Sequence, residues 1–385
     1  MSDRSAVIVG VGLSDLPRAP HLTTRQHHAL AMRRALADAG IHKQDVDGYA
    51  GAEDRVADMA EYLRIDHRYL DGTSIGGSSF QTHVQHAAAA IEQGLCETVL
   101  ITYGSDLLSK SGRKLGTGGK IAGGQVAADA LQYESPYGNP LVGAYAMAAK
   151  RHMHEFGTTS EQLAGIAVGV REFAMENPDA MYRKPLTVDD VLSSRMVADP
   201  LHLLDCCAIT DGGGAVVLTT AERARNLPQP PVYVLGAAAR QTHWNIGEMP
   251  DFTTTAAVAA AAEAFGRAGL TPADVDMLML YDSFTITCLM LLEGLGFCGR
   301  GEGGPFAQEG HLRKGGRLPL NTDGGGLSAC HPGKRGIFLI IEAVRQLRGQ
   351  AGPVQVPDCR VALTAGSGGW LSCMGVLLLG KEPRS

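Results

Sequence analysis

Short apolar runs and longer runs with helical spacing alternate along the chain. Ala6–Gly12 (AVIVGVG) reads as a buried strand, and Thr24–Gly40 sets Ala29, Met32, Leu36 and Ala39 at helical spacing before the glycine that stops the helix. Val46–Gly51 reads as a second strand and Ala57–Ile65 as a helix. A small-residue turn, Ser74–Ser79 (SIGGSS), leads into Phe80–Gln93, whose richness in alanine predicts a buried helix. Thr98–Tyr103 (TVLITY) is the next strand, Ala144–Phe156 and Glu161–Met175 carry helical spacing, and Met277–Leu280 is a further apolar strand. Strands alternating with helices predict sheets covered by helices.

The pattern recurs. Ala35–Asp47 (ALADAGIHKQDVD) has a counterpart in Ala264–Asp276 (AFGRAGLTPADVD), and Thr98–Gly104 (TVLITYG) is echoed by Arg360–Gly366 (RVALTAG). Each of the latter strands follows a helix ending at a glycine, Gly94 or Gly349. Two matches in the same order predict an internal duplication, residues 1–230 and 231–385, joined near the proline-rich Leu227–Val232 (LPQPPV). Two sheets sharing a central helical layer would follow. The first part is longer because of an insertion between Leu107 and about Leu204, beginning with the glycine-dense Ser111–Gln125, which reads as a mobile loop.

At 385 residues and 45% apolar content the chain can build a full core in each part. Its formal net charge of −6, with Lys and Arg scattered, excludes a sequence-independent attraction to nucleic acid or to an anionic membrane. No stretch approaches the roughly 20 apolar residues that span a bilayer. The N-terminal MSDRSAVIVGVG has no leader pattern, so a cytoplasmic protein is expected. Eight cysteines without CxxC spacing predict neither a zinc site nor a disulfide framework, and read as small core residues.

Candidate chemistry concentrates in glycine-rich turns. Leu320–Gly336 (LNTDGGGLSACHPGKRG) packs five glycines, a cysteine and a His-Pro pair before an apolar helical run, where backbone N–H groups and a histidine can be aimed at one point. His331 is either satisfied by backbone at a tight turn or a donor and proton carrier for a carbonyl oxygen. Tyr281 ends the Met277–Leu280 strand. It is either a boundary residue with a wet hydroxyl or a phenol that donates to an oxyanion or, with a lowered pKa, acts as a base. Asp282 would orient its loop, and Asp211 in ITDGGG would fix a glycine turn. Ser78 and Ser79 are helix caps or, alternatively, nucleophiles. The Lys110–Lys120 loop lacks P-loop spacing and reads as solvated.

Four stretches in order, KRHMHEFG (Lys150–Gly157), DPLHLLDCCAITDGGGAVVL (Asp199–Leu218), YDSF (Tyr281–Phe284) and GGGLSACHPG (Gly324–Gly333), resemble the thiolase superfamily in its sterol-carrier or lipid-transfer branch. The resemblance covers essentially the whole chain. It implies a duplicated α/β thiolase fold, with two mixed five-stranded sheets in αβαβα layers, and a homodimer. Thiolases use a nucleophilic cysteine at the start of the helix after SIGG, a position that falls at Gly77. A proton-shuttling cysteine would fall near Thr364, or at Ser283, where the branch motif reads His-Asp-Cys-Phe. All three positions lack cysteine. His331 stands at the family's histidine, and Tyr281 where histidine or asparagine helps bind the carbonyl oxygen. Gly77, Ser78, Asp282 and Gly368 are the expected support of the oxyanion site and its loops. Cys330 stands where the family has glycine, and reads as packing.

A site that holds an acyl-CoA carbonyl without the cysteines implies retro-aldol cleavage of a β-hydroxyacyl-CoA, as in thiolase-like steroid side-chain aldolases. Those also imply a small OB-fold partner of the DUF35 type and a second tyrosine at the position of Ala329, where this chain departs from them. No cofactor is expected; coenzyme A enters as part of the substrate. A Claisen enzyme with an unusual nucleophile, and a non-catalytic acyl-CoA-binding scaffold, are the alternatives.

Overall fold

The computed structural model describes residues 3–111 and 141–383; the Ser111–Gln125 loop lies outside the described residues beyond its first residue. The first strands are β1 (Ala6–Leu13), β2 (Gly48–Gly51), β3 (Tyr69–Asp71) and β4 (Thr98–Ser105). Three helices lie among them: α1 (Thr24–Ala39), α2 (Val56–Leu63) and α3 (Ser79–Glu92). A small hairpin, β5 (Met196–Ala198) and β6 (Leu201–His202), precedes β7 (Gly212–Thr220). The remaining strands are β8 (Val232–Gln241), β9 (Met277–Leu280), β10 (Val361–Gly368) and β11 (Cys373–Gly380).

Nine strands run in the order β3-β2-β4-β7-β1-β8-β11-β10-β9. Within the first five, β3, β2 and β4 are parallel, and β7 and β1 follow antiparallel. Within the last four, β9 and β10 are parallel, and β11 and β8 follow antiparallel. One topology is thus repeated. Among the described residues the two sets pair where Val7 and Ile8 of β1 meet Tyr233 and Val232 of β8. The layered α/β fold agrees with expectation, but the second sheet has four strands, not five. Its missing edge strand survives as a single parallel bridge between Leu278 and Leu320. The reason is Asn321, whose left-handed backbone (φ 52°) turns the chain away while its side-chain amide bonds the backbone N–H and C=O of Leu280 at 2.8 and 2.9 Å.

Helix α3 and the helix Gly336–Leu347 fill the space between the sheets, and both are largely buried. Their N-termini start next to the candidate loops. The outer faces are covered by α1 over β1, β7 and β4, and by the helix Ala257–Ala268 over β8 and β11. Among the described residues no helix is long and apolar enough to cross a membrane, and no cluster of three or more His, Cys, Asp or Glu side chains could hold a metal ion.

The repeat extends to individual contacts. A Cβ on Gly10 of β1 would lie 2.3 Å from the Ala35 carbonyl oxygen and 2.6 Å from the Ala39 Cβ. On Gly236 of β8 it would lie 2.2 Å from the Ala264 oxygen and 3.0 Å from the Ala268 Cβ. Both strands carry their covering helix on a glycine, because only there can helix backbone approach so closely. Gly10→Ala and Gly236→Ala should each destabilise the fold by about 1–3 kcal/mol through overpacking. Denaturant unfolding tests this, and a midpoint unchanged in either variant would refute the close approach at that strand.

Candidate active site

Gly77, Tyr281, His331 and Gly368 line one cavity of about 200 Å³. Each is delivered by an element end. Gly77 sits in the 3-10 turn Gly76–Ser78 before α3, and Gly368 closes β10. Tyr281 follows β9, and its N–H donates to the Ala365 carbonyl at 2.9 Å. His331 lies between the π-helical turn Gly325–Ala329 and the central Gly336–Leu347 helix, and its N–H donates to Thr210 Oγ1 at 3.1 Å.

The Tyr281 ring stands directly over Gly77. A Cβ on Gly77 would lie 2.0 Å from Tyr281 Cε2 and 2.4 Å from Cζ, so no side chain fits at that position beside the phenol. Tyr281 meets the His331 ring edge-on, with centroids 5.4 Å apart at 82°. His331 is 7% exposed, and its Nε2 is buried without a hydrogen-bond partner. Burial, aided by the positive charge of Arg335, holds its pKa down to about 3, so the imidazole is neutral. Burial also raises the Tyr281 phenol well above its ordinary value of 10. The expectation of a base with a lowered pKa is therefore corrected: the resting phenol keeps its proton and is a donor.

The two loops are tied together by Arg335, a residue the motif reading did not single out. Its guanidinium is fully buried, with Nη2 donating to both carboxylate oxygens of Asp323 at 2.6 Å and Nη1 donating to the Cys330 carbonyl at 2.8 Å. Its Nε lies 3.2 Å from Asp282 Oδ1. Asp282 in turn accepts the N–H groups of Gly326 and Leu327 at 2.7 and 3.1 Å. The Tyr281 loop and the glycine turn that carries His331 are thereby held in one register. A sequence signal did exist: an arginine just before the apolar run Gly336–Ile341 enters a buried helix and needs carboxylates inside the protein.

Other candidates fall elsewhere. Ser78 is buried outside the cavity lining, with Oγ donating to the Ile75 carbonyl at 2.9 Å; Ser79 Oγ donates to Gly76 O at 2.7 Å and accepts from Ile75 N at 2.9 Å. Both hydroxyls bond back into the preceding turn rather than capping α3. Cys330 points to Thr210 Oγ1 at 3.2 Å, its thiol pushed by burial up to about 12. Cys207, expected in the core, lines the cavity, but burial raises its thiol far above the ordinary range. Asp211 does more than fix a turn, since its carboxylate accepts from Ala19 N, Ser109 N and Ser109 Oγ. From the β10 segment it is Ser367, not Thr364, that reaches the cavity, and Tyr145 and Ser283 also line it. Ala329 lines a separate hollow with Leu16 and Glu342.

Comparison with known proteins identifies the family. Residues 238–381 match the thiolase C-terminal domain-like family. The steroid side-chain-cleaving aldolase of Thermomonospora curvata is 35% identical, over 94% of this chain and 95% of its own. The 17-hydroxy-3-oxo-4-pregnene-20-carboxyl-CoA lyase of Mycobacterium tuberculosis is 36% identical, over 96% and 98%. The solved structure of an Ltp2-ChsH2(DUF35) aldolase superposes with a TM-score of 0.88 at 34% identity, covering 98% of each chain. This chain belongs to the thiolase superfamily, in the aldolase-like lipid-transfer branch that lacks the nucleophilic cysteine.

Proposed function

We propose that this protein is a carbon–carbon lyase that cleaves a β-hydroxyacyl-CoA by a retro-aldol reaction, with a steroid side chain as the acyl group. The observation that carries the reading is the Tyr281 ring filling the volume over Gly77, beside the free Nε2 of His331. A thiolase needs a thiol in that volume. Here it holds a phenol.

Neutral His331 accepts the β-hydroxyl proton at Nε2, and the O–H electron pair becomes the new carbonyl. The Cα–Cβ pair moves into the thioester as an enolate, whose oxygen receives a hydrogen bond from Tyr281. The proton on His331 then returns to the α-carbon. A shorter acyl-CoA and a ketone or aldehyde leave, and no acyl-enzyme forms. The scheme calls on no cofactor, coenzyme A being part of the substrate. Leu107, Leu141, Ile209 and Phe284 make the cavity walls apolar. At about 200 Å³ it suits the reacting end of a side chain rather than a ring system. Against a nucleophilic alternative, Ser78 and Ser79 are bonded into their turn and burial pushes up the thiols of Cys207 and Cys330.

We further propose a cytoplasmic homodimer joined through β3, the sheet's outer strand, which exposes Leu70 at 37%. The likeness to the DUF35-containing aldolase structure supports a small OB-fold partner. Light scattering should give the mass of two chains, and co-expression with a DUF35-type protein a larger complex; a monomer that ignores that protein would refute both.

The CoA ester in the name of the M. tuberculosis relative is a suitable test substrate. Tyr281→Phe and His331→Asn should each lower kcat by roughly 10²–10⁴-fold with the fold intact by circular dichroism. Intact-protein mass spectrometry during turnover should find no acyl adduct; a trapped acyl-enzyme would sink the lyase reading in favour of a Claisen enzyme. His331 should stay neutral down to about pH 4, because its depressed pKa of about 3 leaves the proton off above that value. An NMR titration with a midpoint near 6.5 would contradict its burial.

A further inference from the structure

The cavity holds a second phenol. Tyr145, on the helix Leu141–Phe156, is 3% exposed and lines the cavity with Tyr281 and His331. Its ring packs on Phe284, with centroids 4.6 Å apart. Its hydroxyl lies beside those of Ser283 and Ser367 and beside the Leu371 backbone, which together partly offset the rise in pKa that burial imposes. Ser283 is in turn 3.1 Å from Thr287 Oγ1, and Ser367 Oγ is buried with the Tyr145 hydroxyl as its polar neighbour.

The polar side chains of the cavity therefore form two groups, His331 with Tyr281 and Tyr145 with Ser283 and Ser367. A β-hydroxy thioester also presents two oxygens whose charge changes during cleavage. The enolate oxygen is served by Tyr281 in the scheme above. The β-oxygen, once its proton is passing to His331, carries negative charge until the carbon–carbon bond breaks, and apolar walls alone would leave it unsolvated. We infer that Tyr145 is a second catalytic residue, whose phenol donates a hydrogen bond to the β-oxygen while Ser283 and Ser367 hold that phenol in place. The inference rests on the lyase reading. It gives the site a second phenol although position 329, in its separate hollow, carries alanine.

The experiment separates the two half-sites. Cleaving the test ester between the α- and β-carbons leaves propionyl-CoA, whose α-proton exchange in D₂O needs only the enolate half. In the full chain, with any copurifying partner, Tyr145→Phe should lower kcat for cleavage by about 100-fold or more and change KM by less than about threefold. Propionyl-CoA exchange should stay within about threefold of wild type, whereas Tyr281→Phe loses both activities. Cleavage at the wild-type rate in Tyr145→Phe, or exchange and cleavage falling together in it, would overturn the assignment. Should that variant not fold, Ser367→Ala is expected to show the same split at about tenfold, and an undivided effect counts against Tyr145. A wild-type protein that neither cleaves nor exchanges would instead refute the lyase reading, and the inference with it.

Discussion

The site depends on one buried charge. Taking a guanidinium out of water costs on the order of several kcal/mol unless it is paired and hydrogen-bonded. Arg335 meets that cost with Asp323, Asp282 and the Cys330 carbonyl, which lie on two separate loops. Those loops can therefore adopt few arrangements besides the one in which Tyr281 and His331 face each other. Removing the arginine would leave the buried carboxylate of Asp282 and the part-buried one of Asp323 without a cation, a worse state than an apolar replacement of all three.

A second constraint is steric. A Cβ on residue 77 would meet the Tyr281 ring at 2.0 and 2.4 Å and the Ser367 carbonyl oxygen at 2.6 Å, so the ring and the β10 backbone together leave no room for a thiol there. Glycine at 77 and tyrosine at 281 are thus fitted to one another. The absence of the other thiolase cysteines fits the same arrangement, because proton shuttling through a thiol has no purpose once there is no acyl-enzyme to attack.

Much of this was legible in the chain. The duplication could be read from Ala35–Asp47 and Ala264–Asp276 because both copies need small residues where the helix rides on a glycine strand. The fifth strand of the second sheet could not, since its loss turns on whether the Asn321 amide reaches back to Leu280. Gly77, Tyr281 and His331 were found through local motifs, and the fold gathers them into one cavity. Tyr145 and Ser367 were missed because their place comes from packing between segments far apart in sequence, which no local spacing records. The choice between a Tyr281 donor and a Tyr281 base was not legible for a related reason: it turns on the depth of burial, which motif position does not give.

Burial of the two central groups also shapes the chemistry. With His331 and Tyr281 both neutral at rest, the cavity lining carries no charge among the described residues, and the first charges to form in it are those of the imidazolium and the β-oxygen that share the transferred proton. In such a medium a nearby fixed charge acts far more strongly than in water. Arg335 lies behind His331, and the field that discourages a proton on the imidazole favours negative charge in front of it. Arg335 therefore opposes the proton that His331 holds while the carbon–carbon bond breaks and favours its return to the α-carbon, so the interaction that fixes the loops also acts on the charges of the reaction.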